Sequence, residues 1–260
     1  YGNLTDAPPF PETAPRSVAA FPVESTKGRR GPAKVPSRED YVAEYGHNPT
    51  FSPTSYGPLM FLQESNRVVV SRVLHNAKEA GAMLCVVPHE AATPEGMGGT
   101  TVLRPFIVGS ENGADGIRLS DDYVLAIYDR SPGQSEKRVR LVPEINNPDG
   151  GFHVEVYIGN STNWVERHHV KLTDYQNGYG EQMHIEQVIN TRSRQIGVVL
   201  NTAVQNTIYV GDNLIDSTLE VWLNGGDQGD RVNGEDVMNT MVRDFADPER
   251  LRFNTLAAPG

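Results

Sequence analysis

Seven histidines in a chain of 260 residues are the first place to look for acid–base or metal chemistry. His168 and His169 are adjacent, and on a strand adjacent side chains point to opposite faces, so the sequence predicts that they do not share one ion. His89-Glu90 lacks the second histidine of a zinc-hydrolase helix, and no Cys/His cluster has metal-ligand spacing. Ser71 and His75 lie close in sequence, but no Gly-x-Ser-x-Gly elbow surrounds the serine. The one cysteine, Cys85, sits in the apolar run 82–87 and is expected to be a buried free thiol. These patterns predict no catalytic residue, no metal and no cofactor.

Two glycine-rich loops invite comparison with phosphate cradles. Gly96-Met97-Gly98-Gly99-Thr100 and Gly225-Gly226-Asp227-Gln228-Gly229-Asp230 both lack the lysine and Ser/Thr of a P-loop. The second is acidic, which repels phosphate, and its carboxylates miss the calcium-loop spacing; it reads as a tight turn feeding a capped helix. Trp164, Tyr175 and Tyr179 beside Asn163 could form a sugar-stacking platform, although aromatics next to strands usually pack.

The formal net charge of −10 argues against a nucleic-acid partner, since phosphate binding needs a basic patch and the sequence offers only Lys27-Gly28-Arg29-Arg30. No stretch approaches the ~20 apolar residues of a spanning helix, so no membrane partner is expected. Hydrophobic residues at 38% are enough for a core, while 25 glycines and 18 prolines imply many turns.

The elements are read from periodicity. Residues 1–36 are proline-rich without apolar period and read as an extended arm. Ser37 with Asp40 predicts a capped helix through Tyr41, Val42 and Tyr45, stopped at Gly46. Strands are expected at 68–70, 82–87, 101–108 (an edge strand, because of Pro105), 123–128, 138–142, 152–158, 164–172, 196–200 and 219–223. Residues 77–80 suggest a brief turn or helical turn, and 181–190 a helix with Ile185, Val188 and Ile189 inward. Asn233 and Asp236 predict a capping box for a helix with Val237, Met238, Met241, Val242 and Phe245 on one face, ended by Pro248 and followed by a strand at 251–256. The fold class is α+β, mixed sheets with flanking helices. The expected core spans 37–90 and 121–260, with 91–120 as a protruding insertion.

Several stretches, in order, resemble the contractile bacteriophage tail sheath family. Ser55-Tyr56-Gly57-Pro58 through Arg67-Val68-Val69-Val70-Ser71-Arg72-Val73, then Ala77-Lys78-Glu79-Ala80, is similar to the family's Gly segment, apolar strand closed by Arg-Val, and spaced alanines. Tyr128-Asp129-Arg130-Ser131-Pro132-Gly133 resembles its Pro-Gly turn, without the Gly-Asn pair usual after it. Phe152-His153-Val154-Glu155-Val156-Tyr157, Val165-Glu166-Arg167 and Val170-Lys171-Leu172 resemble its consecutive strands, and the stretch from Ile185 through Asn190-Thr191-Arg192-Ser193-Arg194-Gln195-Ile196 its Ile-Asn-x-x-Ser-x-x-Ile signature. Leu223-Asn224-Gly225-Gly226-Asp227-Gln228-Gly229, the helix to Phe245, Asp247-Pro248-Glu249 and the stretch from Leu251 to Gly260 resemble its Gly-Gly loop, helix and strand.

The resemblance covers about residues 55–260 and marks Arg72, Pro132, Gly133, Glu166, Asn190, Ser193, Gly225, Gly226 and Gly229 as structural motif residues. It implies a virion subunit that polymerises helically around a tail tube and contracts. The implied partners are other sheath subunits, the tube and the baseplate. It also implies that a C-terminal inner domain is missing from this fragment, which is expected to be monomeric. The alternative is a phage surface module that binds a receptor or carbohydrate.

Overall fold

A computed structural model describes residues 18–47, 52–90, 101–118, 123–144, 150–203, 214–247, 253 and 255–257. The chain is α+β and divides into two compact units, residues 1–75 with 231–260, and residues 76–230.

The first unit is built on β1 (Ala19–Val23), β2 (Gly31–Val35) and β3 (Val68–Arg72), with β12 (Thr255–Leu256) at one edge, in the order β12-β1-β3-β2. β1 runs parallel to β3 and β12, while β2 is antiparallel to β3. One face carries Ala19, Phe21, Val23, Val68 and Val70 against Tyr41, Tyr45 and Leu59 from α1 (Arg38–Tyr45) and α2 (Tyr56–Glu64). The opposite face packs Ala20 and Val69 against Met241 and Phe245 of α5 (Gly234–Phe245). Covered on both faces, β1 and β3 are buried at every position, including the polar Ser71 and the charged Arg72 that end β3.

Residues 18–36 are therefore not an extended arm, a correction to the sequence reading; residues 1–17 lie outside the described residues. The prolines that suggested an arm fall where a ladder tolerates them. Pro32 is on edge strand β2, and Pro22 turns its missing N–H toward β12, which pairs only with Ala19 and Ala20.

Both predicted caps form. Ser37 accepts the Asp40 N–H at 3.0 Å, and Asn233 and Asp236 make a reciprocal capping box. On α5 the buried positions are Thr240, Asp244 and Phe245, with Val237 and Met241 half-buried; Met238 and Val242, expected inward, are 58% and 64% exposed. Pro248 lies outside the described residues.

The second unit contains two four-stranded antiparallel sheets. One, in the order β10-β6-β4-β5, uses β4 (Gly81–Glu90), β5 (Thr101–Gly109), β6 (Tyr123–Asp129) and β10 (Ile196–Leu200). The other, in the order β11-β7-β8-β9, uses β7 (Lys137–Pro143), β8 (Phe152–Ile158), β9 (Glu166–Val170) and β11 (Leu219–Trp222). Leu84, Leu125, Ile127 and Val198 from the first share one core with Val139, Leu141, Val154 and Val156 from the second. Ile185, Val188 and Ile189 of α4 (Ile185–Arg192) complete that core.

Three further expectations change. Helix α4 begins at Ile185, since residues 176 and 182 are bridged in a turn before it. The strand at 219–223 belongs to the second unit and β12 to the first, so the two do not pair around α5. Residues 101–118 belong to the second unit: β5 pairs with β4 along its length, and α3 (Gly113–Arg118) buries Ala114 and Ile117. β5 is the edge strand that Pro105 predicted. Among the described residues β6 pairs with β4 as far as Cys85, and beyond it β4 and β5 continue as a two-stranded ribbon.

Candidate functional site

The motif residues converge on backbone junctions. Where a turn or helical turn is expected over 77–80, residues 78–81 are instead extended, and their carbonyls are taken by several parts of the second unit. The Lys78 carbonyl accepts from Gly133 N at 3.0 Å and Asp227 N at 3.0 Å, Glu79 from Ala114 N at 2.8 Å, and Ala80 from Asp129 N at 2.8 Å. The Gly81 carbonyl accepts from Ser110 N at 2.9 Å and Asn224 N at 3.1 Å. A short segment with these partners is a hub, and the loops must reach its backbone closely. At Gly226 a Cβ would fall on the Gly133 carbonyl oxygen, so only glycine fits. Gly133 has φ +121°, and Pro132 before it is buried. Gly225 lies against Gly113 and Ser110, while the Gly229 N–H closes a turn on Asp227 Oδ1 at 2.9 Å. Asp230 accepts from Asn76 at 3.0 Å, so the acidic loop is a structural turn.

A second junction holds α4 to the strands beside it. Glu166 accepts from Ser193 Oγ at 2.6 Å and Arg194 N at 2.9 Å, and its Oε2 lies 3.3 Å from His168 Nε2. Burial raises its carboxyl pKa, but the bonds from His168, Ser193 and the Arg194 backbone outweigh that and hold it below the usual range. Asn190 bridges helix to strand through both amide atoms: Nδ2 donates to the Val198 carbonyl at 2.9 Å and Oδ1 accepts the Val198 N–H at 3.0 Å.

Arg130, which sequence reasoning passed over, donates to the carbonyls of Ile196 and Asn190, both at 2.7 Å, placing a cation at the C-terminal end of α4. Its neighbour Asp129 is buried and binds Lys137 Nζ at 2.6 Å, Ser135 Oγ at 2.6 Å and Ser131 N at 2.7 Å. The Asp-x-Ser spacing at 129–131 is an Asx-turn signal that could have found it. In the first unit Arg72, also buried, donates to the carbonyls of Ser25 and Gly28, each at 3.0 Å.

The residues that invited chemistry are dispersed. His168 pairs with Glu166, whereas His169 stacks at 4.8 Å on His153 of the neighbouring strand and bonds the Gly150 carbonyl. The adjacent histidines thus serve opposite faces, as expected. His153 bonds Glu144, and burial above all pushes its pKa down. Ser71 bonds Asp244 while His75 bonds Asp236 at 2.8 Å, two separate pairs. Cys85 is buried. Tyr175 holds the Lys171 ammonium 3.7 Å from its ring centroid, while Trp164 and Tyr179 are 52% and 94% exposed. Among the described residues no group of three metal-ligating side chains occurs, and no helix is long and apolar enough to cross a membrane. Residues 96–100 lie outside the described residues.

No family model and no curated protein sequence matches the chain. Among solved structures it is similar to the sheath tail protein of Desulfitobacterium hafniense, at 11% identity and a TM-score of 0.43, covering 99% of this chain and 44% of that one. It is also similar to the sheath tail protein Lin1278 of Listeria innocua, at 12% identity and a TM-score of 0.45, covering 94% and 40%. The chain spans less than half the length of either.

Proposed function

We propose that this chain is part of a structural subunit of a contractile phage tail sheath, a virion component that assembles helically around the tail tube and contracts to drive it through the host envelope. The observation that carries this reading is the behaviour of the residues on which the resemblance rests. Glu166 meets Ser193, Gly133 meets Gly226, and Asn190 clasps Val198. They tie strands and loops of the second unit to one another and to α4. A subunit that transmits force while its neighbours reorient needs such ties, with mobility confined to contacts between subunits. Its partners are other copies of itself, the tube and the baseplate, and its role is mechanical, with no enzymatic step.

Sedimentation velocity tests this. The full-length gene product is expected to sediment as large polymers, and residues 1–260 alone as a monomer at micromolar concentration. A full-length product that stays monomeric, or closes into a small ring, rules the sheath reading out.

A further inference from the structure

The two sheets of the second unit differ on their outward faces. On β11-β7-β8-β9 the outward side chains satisfy one another: Arg138 pairs with Glu220 at 3.0 Å, Tyr157 donates to Glu155 at 2.6 Å, and Arg167 pairs with Glu155 at 3.3 Å. On β10-β6-β4-β5 the outward face is apolar. The register sets Val199, Ala126, Met83 and Val108 side by side across all four strands, and along the ribbon puts Phe106 beside Cys85 and Arg104 beside Val87. Val199, Val108, Phe106 and Val87 are 39%, 38%, 37% and 46% exposed. Between these side chains Ala126 and Cys85 are buried, so the exposed apolar atoms of this face lie on β10, on β5 and at the far end of β4.

We propose that this face receives helix α5 of a second copy of the chain, in a head-to-tail contact. Helix α5 carries the matching stripe: Glu235, Met238 and Val242 lie at i, i+3 and i+7 on one side, all exposed, with the two apolar residues left out of the first unit's core. On β5 the outward residues Arg104, Phe106 and Val108 span about 14 Å. The helix stripe spans about 10 Å. Set along the strand, the stripe puts Glu235 toward Arg104 and the two apolar residues over Phe106 and Val108, so charge complementarity fixes the direction. The two surfaces differ, so the contact is heterologous, and a rotation per copy that does not close a ring propagates it along a filament.

The apolar area, about 14 Å on a side, is far below the ~800 Å² per partner of a stable dimer, so the contact acts only as one of several in a polymer. The proposal therefore rests on the sheath reading.

Cross-linking between singly substituted proteins in a Cys85→Ala background tests it. Val108→Cys protein mixed with mass-tagged Val242→Cys protein is expected to form the disulfide several-fold faster than Val108→Cys mixed with Tyr179→Cys. Arg104→Glu should slow that reaction about two- to fivefold, the range for an exposed ion pair, and Glu235→Arg in the partner should restore it. A rate equal to that of the Tyr179→Cys pair, or indifference to the charge reversal, overturns the contact. Regular polymers of the full-length product without preferential cross-linking would sink only this contact, whereas absence of polymers would sink the sheath reading beneath it.

Discussion

Gly226 illustrates what single residues do in this molecule. Its hydrogen takes the place of a Cβ that would otherwise sit on the Gly133 carbonyl, in a junction where backbone meets backbone and nothing flexible can yield. Gly226→Ala should therefore destabilise the second unit by about 1–3 kcal/mol, the range for a forced clash in a packed site. Gly178 has open space around its Cβ position, and Gly178→Ala should stay within about 0.5 kcal/mol of the parent. Urea unfolding of the two variants compares them directly, and equal midpoints would mean that the junction relaxes around the methyl group. Residue types at this scale were legible from the family resemblance, but their partners were not. Nothing near Glu166 in sequence announces Ser193, because the bond between them depends on how α4 returns beside β9.

At the scale of elements, the signals that are local in the chain were readable. The caps at Ser37 and Asn233 and the edge position forced by Pro105 each need only a few consecutive residues. The misreadings have one physical origin, partners far away in sequence. Residues 78–81 look helical by composition but are pulled straight by hydrogen bonds to residues near 110, 130 and 225. Residues 18–36 look like an arm until β3 supplies a ladder. Met238 and Val242 fit an amphipathic wheel, yet of the apolar side chains of α5 it is Met241 and Phe245 that pack with Ala20 and Val69 of the sheet.

The edge between β8 and β9 also carries a pH dependence. Burial lowers the pKa of His153 below its unfolded value of about 6.5, so the unfolded chain binds the proton more tightly than the folded one. The stability this contributes is complete above about pH 6.5 and is lost as pH falls from there through the folded pKa. Glu166, held low in the fold, loses its contribution only as pH falls below about 4.3, so the two windows separate. Thermal unfolding of the parent should therefore weaken between pH 7 and 5. His153→Phe, which keeps a ring beside His169, should flatten that slope; an unchanged slope would assign it elsewhere.

For the whole molecule, the account is one of rigid bodies with unfinished surfaces. One unit encloses a sheet between helices, and the other closes two sheets and a helix on a single core. Neither gathers nucleophile, base and acceptor into a cleft among the described residues. What remains outward is a polar sheet face, exposed apolar residues on the other sheet and the exposed Met238 and Val242 of α5. The central claim is that these bodies build a sleeve. Negative-stain electron microscopy of the full-length product, expressed without other tail proteins, tests it most directly. Hollow tubes of constant diameter are the predicted result; dispersed compact particles, with no tubes at any concentration, would contradict it.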